Sequence, residues 1–196
     1  MTHYKSWAAC LVITVLCSAA MLLPSNITDA MVLSEAGLAN GELWRMFTAH
    51  FVHTNLWHFA LNIAGLWLTW LLFVEYFSPQ RLLLALAFST LGLSMVLFAT
   101  NNLQSITWYA GLSGTLHGLF AFALVLDVNK KRVTTYIIII FGIGKLIFEQ
   151  MGGSTQSTAE LIGASVAING HLWGAVLGVV AGCIVKVLEL QQQFRD

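Results

Sequence analysis

The chain has 196 residues, enough for one domain, and it is 58% hydrophobic and only 9% charged, where a soluble domain is about 25% charged. Lys plus Arg number 9 and Asp plus Glu number 9, so the net charge is near zero. This balance excludes a soluble enzyme, a nucleic-acid binder and a disulfide-stapled secreted domain, and leaves an all-α polytopic membrane protein.

A membrane helix needs about 20 mostly apolar residues. The first such run is Ser6 to Leu23, closed by Pro24. It lacks a clear A-x-A-like cleavage site and is expected to be retained as a helix. Pro24 to Trp57 is the longest connection. Its segment Gly41-Glu42-Leu43-Trp44-Arg45-Met46-Phe47 has a mixed pattern, which suggests a loop in the membrane interface with Trp44-Arg45 as an anchor. The second span runs from about His58 to Phe77 and stops at Ser78-Pro79. The third is Leu82 to Ala99, the fourth Ser113 to Val128, the fifth Val133 to Met151 and the sixth Ile168 to about Leu190. Between the last two, Gly152-Gly153-Ser154-Thr155-Gln156-Ser157-Thr158 is small and polar, as in a mobile loop. The runs are too long and continuous for barrel strands. The expectation is one six-helix transmembrane domain over residues 1–196. Cys10, Cys17 and Cys183 lie within apolar runs and lack disulfide or zinc spacing.

Basic residues set the orientation. With six spans, Lys5, Arg81, Lys130, Lys131, Arg132, Lys186 and Arg195 share one side, and the other side has only Arg45. Both termini are therefore expected in the cytoplasm.

Polar side chains within spans are costly and point to function. His53, His58 and Asn62 fall at the outer start of span two, Ser113 and His117 at that of span four, and His171 at that of span six. All three spans run inward, so these residues share one depth. Span four is short: 16 residues reach ~24 Å against a hydrocarbon core of ~30 Å. Ser113 should sit recessed in a water-filled cavity. Gly114 and Gly118 face a ladder of Gly170, Gly174, Gly178 and Gly182, and such spacing lets helices approach closely. Packing through these faces brings Ser113 to His171. A serine beside a neutral histidine is a minimal nucleophile and base. His58 and Asn62, on one helical face, are candidates to hold an oxyanion, with the Ser113 backbone N–H as a further donor. No carboxylate is evidently placed to orient His171. Asp127 lies at the inner end, and Lys145 and Glu149 read as a structural ion pair. A dyad is expected, not a triad.

Each feature has a plainer reading: Gly-Ser-Gly as helix packing, a membrane histidine as a buried hydrogen-bonding group. Convergence of these polar residues from three spans favours catalysis. A transporter or metal conduit using His50, His53, His58, His117 and His171 is an alternative, but it leaves Ser113 without a role.

These residues resemble the rhomboid family of intramembrane serine proteases. Gly111-Leu112-Ser113-Gly114 is similar to the family's G-x-S-G motif, and His53, His58 and Asn62 match its H-x4-H-x3-N pattern. Gly170-His171-Leu172-Trp173-Gly174 with Gly178 resembles the catalytic-histidine helix. Glu42, Trp44, Arg45 and Thr48 resemble the first-loop signature. The resemblance spans Glu42 to Gly182. It implies Ser113 as nucleophile, His171 as base, His58 and Asn62 at the oxyanion, and His53, His117, Gly111, Gly114 and Gly174 in support. It also implies that span five and its outer loop admit the substrate. No cofactor or metal is implied. Rhomboids often carry an aromatic four residues after the nucleophile, where this chain has His117. The run from Gly111 to Leu119 resembles the rhombosortase branch, which processes bacterial proteins with C-terminal Gly-Gly tail anchors. That implies a multi-pass protein of the bacterial inner membrane whose site opens to the periplasm. An inactive relative acting as a membrane-protein chaperone is a further alternative; such relatives typically lose the Ser or the His.

Overall fold

The computed structural model describes residues 3–100 and 107–194; of the charges used above for orientation, Arg195 lies outside them. Apolar helices follow in the expected order: α1 (Trp7–Met21), α5 (Leu56–Phe73), α6 (Pro79–Ala99), α7 (Ser113–Asp127), α8 (Val133–Gln150) and α10 (Ile168–Gln193). By length and composition, four segments can cross a membrane: Leu56–Tyr76, Pro79–Ala99, Val133–Gln150 and Ile168–Gln193. The helices α1 and α7, at 15 residues each, are shorter.

Local chemistry explains the helix starts. Asn55 accepts the His58 backbone N–H at 2.8 Å, so α5 begins at Leu56 with His58 held in its first turn. Ser78 accepts the Arg81 N–H at 3.2 Å with Pro79 at the first helical position, where its missing N–H costs nothing.

Helix α7 is the axis of the bundle, packed against α5, α6 and α10, and ten of its 15 residues are buried. Its contact with α10 is made by glycine. A methyl at Gly174 would overlap the carbonyl oxygen of Gly114, and one at Gly178 that of Gly118. The expected glycine-faced packing is therefore what joins these two helices. Helix α8 differs: only Thr135 and Glu149 are buried along it. Thr135 hydrogen-bonds Asp127, which also accepts from the Tyr76 hydroxyl at 2.6 Å and Arg132 at 3.3 Å. This cluster closes the basic end of the bundle.

Between α1 and α5 the chain folds into α2 (Ser25–Asp29), β1 (Leu33–Ser34), α3 (Glu35–Ala39) and α4 (Arg45–Thr48). Three expectations need correction here and nearby. First, the fold is not wholly helical: β1 pairs antiparallel with β2 (Trp108–Tyr109) through Leu33 opposite Tyr109. Second, Arg45 is no exposed anchor. It turns inward to Glu42 at 2.5 Å and to the carbonyls of Asp29 and Val32 at 2.7 and 2.8 Å, clamping the loop. Trp44 stays exposed and donates to Ala30 at 3.0 Å. Third, residues 156–158 are not a loop but the start of α9 (Gln156–Ile162). A Gln156–Glu160 bond of 2.9 Å supports it and buried Ile162 docks it.

Candidate active site

Ser113 opens α7 just after Gly111, whose φ of +108° is a conformation suited to glycine. Space requires glycine there too, since a methyl would lie 2.5 Å from His58 Nε2. The Gly111 N–H donates to Ala49 O at 3.0 Å, and its carbonyl accepts the Tyr109 hydroxyl at 3.0 Å. The turn before Ser113 is thus fixed from two sides.

The glycine contact brings α10 near enough for Ser113 Oγ to stand 3.1 Å from His171 Nε2. The residues expected to meet do meet. The far side of the imidazole overturns the expectation that no carboxylate orients it. Nδ1 lies 3.1 and 3.2 Å from the two carboxylate oxygens of Glu149. Sequence reasoning missed this contact: the four-residue spacing of Lys145 and Glu149 reads as an ion pair within one helix. That pair exists, at 2.8 Å, but Lys145 is 47% exposed and the Glu149 side chain only 8%. The carboxylate turns inward.

His117 stacks on His171, with ring centroids 4.2 Å apart and planes at 16°. Its Nδ1–H donates to the Ser113 carbonyl at 2.8 Å, leaving Nε2 to accept from Lys145 at 3.0 Å. His117 therefore lies along the helix of Ser113, against the face of His171.

On α5, His58 and Asn62 are buried beside Gly111. Nδ1 of His58 lies 3.4 Å from the Thr54 backbone nitrogen, and Nε2 points toward Gly111. The Thr54 hydroxyl also meets Nδ1 at 3.0 Å and donates to the Ile162 carbonyl. Asn55 Nδ2 donates to the Leu161 carbonyl at 2.9 Å, so α9 is roped to the start of α5. The Asn62 amide nitrogen is buried without a hydrogen-bond partner among the described residues. His53 donates from Nδ1 to the Phe51 carbonyl at 3.1 Å and packs edge-on against His58, centroids 5.0 Å apart. It lies behind the site, and burial, with the His58 ring adding to the effect, pushes its pKa down to about 4.

Ser113, His171, His117, His58, Asn62 and Glu149 line one cavity of ≈ 920 Å³ with largely apolar walls, shared among α5, α7, α8 and α10. His50 is elsewhere, fully buried between Thr115 at 2.8 Å and Ser94 at 3.0 Å. Among the described residues no three His, Cys, Asp or Glu side chains gather as a metal site.

The Rhomboid domain family model matches residues 40–187. The chain belongs to the rhomboid family. The match covers Arg45 and every residue of the cavity named above. Rhomboid-domain proteins are intramembrane serine proteases acting on transmembrane substrates. No curated protein matches the chain itself.

Proposed function

We propose that this rhomboid is an active intramembrane serine endopeptidase with Ser113 as nucleophile and His171 as general base. The observation that carries the reading is the 3.1 Å approach of Ser113 Oγ to His171 Nε2 at the cavity. Ser113 Oγ attacks the scissile carbonyl carbon while its proton passes to Nε2. The tetrahedral oxyanion then collapses, the C–N bond breaks, and the imidazolium gives its proton to the departing amine. Water attacks the acyl-enzyme, its proton passing to Nε2 and back to Ser113 Oγ as the acid leaves. The Asn62 amide, the His58 ring and the first N–H of α7 are the donors for the oxyanion. An unpaired buried donor is costly in the resting protein, and a transient oxyanion would satisfy it.

The substrate is a membrane helix with helix-breaking residues near its outer end, of Gly-Gly type as in the rhombosortase branch. A helical peptide bond has its carbonyl engaged and must unwind before attack. Each glycine eases that by about 1 kcal/mol relative to alanine. The motif Gly111 to Leu119, with His117 in place of an aromatic, supports this branch. The six apolar helices are read as six spans with both termini cytoplasmic, on the charge asymmetry, in a bacterial inner membrane with the cavity facing the periplasm. The test is labelling by a serine-directed fluorophosphonate together with cleavage of a tail-anchored reporter. Wild type should label at Ser113 and cut, and Ser113→Ala should do neither. Full cleavage by Ser113→Ala would sink the reading.

A further inference from the structure

We propose that Glu149 is a positioning residue for His171, so that α8 supplies the third member of a Ser113–His171–Glu149 chain and aligns the base only while it is seated. The inference rests on the roles of Ser113 and His171 proposed above.

Proton placement leads to it. For Nε2 to accept from Ser113 Oγ at 3.1 Å, the neutral ring must carry its proton on Nδ1. What faces Nδ1 is the Glu149 carboxylate, both oxygens within 3.2 Å. Lys145 Nζ, at 3.5 Å from Nδ1, can only donate and cannot hold that proton. Stacking on His117 fixes the plane of the His171 ring, but not its rotation within that plane. The carboxylate fixes the rotation. The titratable groups around His171 are Ser113 and His117 from α7, Lys145 and Glu149 from α8, and His58 from α5. Of these, Glu149 is the one anion. When the proton leaves Ser113, the positive charge created on the imidazole lies against it.

The position of Glu149 along α8 gives the second half of the inference. It is the only buried residue in the outer half of that helix, with Thr135 its counterpart at the basic end. Midway between them, none of the described residues lies within 4 Å of where side chains on Gly142 and Gly144 would begin. Ile138 and Ile139 pack the inner half of the helix against the core, whereas the outer half has open space at Gly142 and Gly144 and Glu149 as its one buried side chain. Movement of its outer half away from α10 would separate Glu149 from His171 and release the base from its orientation.

The test uses the full chain in liposomes, with the rate of fluorophosphonate labelling at Ser113 and the kinetics of reporter cleavage. Glu149→Gln should lower both the labelling rate and kcat on the order of 10²-fold or more, as expected when a base is held in the wrong tautomer, with KM little changed. Glu149→Asp should recover part of the loss. Combining Glu149→Gln with Lys145→Met should not. Wild-type labelling by Glu149→Gln, a loss confined to KM, or recovery in the double variant would each overturn the proposal; recovery would reduce Glu149 to a neutraliser of Lys145. In case Glu149→Gln fails to fold, ¹⁵N-histidine NMR of the wild type decides. The His171 proton should sit far downfield on Nδ1, and finding it on Nε2 overturns the proposal. If the wild type does not label at Ser113, the protease reading itself fails. If it labels and Glu149→Gln labels equally, only the role of Glu149 fails.

Discussion

Asn62 offers a buried N–H that none of the described residues accepts. Asn62→Ala should leave the fold intact and lower kcat by about 10²–10³-fold, the cost of one oxyanion donor in a serine protease. A change confined to KM would contradict that role. His171→Ala should lose essentially all turnover. His117→Phe keeps a ring to stack on His171 but loses bonds to the Ser113 carbonyl and Lys145. It should retain activity reduced by about 10-fold, since a hydrogen bond contributes roughly 0.5–1.5 kcal/mol net. A dead His117→Phe beside an active His171→Ala would reverse the two roles. Ser113, His171, His58 and Asn62 were legible in the sequence because short motifs and a common depth mark them. Glu149 was not. Its i, i+4 partner Lys145 gave it a sufficient local explanation, and no linear spacing reports how α8 is rotated about its axis.

Among elements, the contrast lies between α7–α10 and α8. Gly174→Ala would drive a methyl into the Gly114 carbonyl. Overpacking costs roughly 1–3 kcal/mol, so the melting temperature should fall, and labelling at Ser113 should fall with it as His171 is pushed away. Unchanged labelling would show that the close approach is not what sets the Ser113–His171 distance. Gly142 and Gly144 have room for a side chain. Changing both to alanine should stiffen α8, each change favouring helix by about 1 kcal/mol. If the substrate helix passes α8, cleavage of the membrane reporter should slow while the small fluorophosphonate labels at its usual rate; equal slowing of both would argue against such a passage. The glycine ladder could be read from its four-residue period. Helix α9 could not, because its Gly-Gly-Ser-Thr approach has loop composition, and its order comes from Ile162 and from Thr54 and Asn55, about a hundred residues away.

Across the whole molecule, substrate choice is tested by the tail reporter. Replacing Gly-Gly with Val-Val should slow cleavage strongly, because the helix resists opening and the β-branched side chains crowd the cleft beside Gly111. Equal rates would leave a rhomboid protease without Gly-Gly preference. The order of the helices was legible from apolar run length, whereas the inward turn of Arg45 and the β1–β2 pairing were not. Both join segments distant in sequence, and both depend on how the first connection folds back over α6 and α7. The burial of α7 has a consequence for biosynthesis. Only 15 residues long, with Ser, Thr, His and two Gly in its first half, it is a poor candidate to leave the translocon for lipid alone. The walls that shelter it include α10, which the ribosome makes some fifty residues later. On the proposed roles, the nascent chain would hold Ser113 without His171 until α10 emerges, and would be catalytically silent until its insertion was nearly finished.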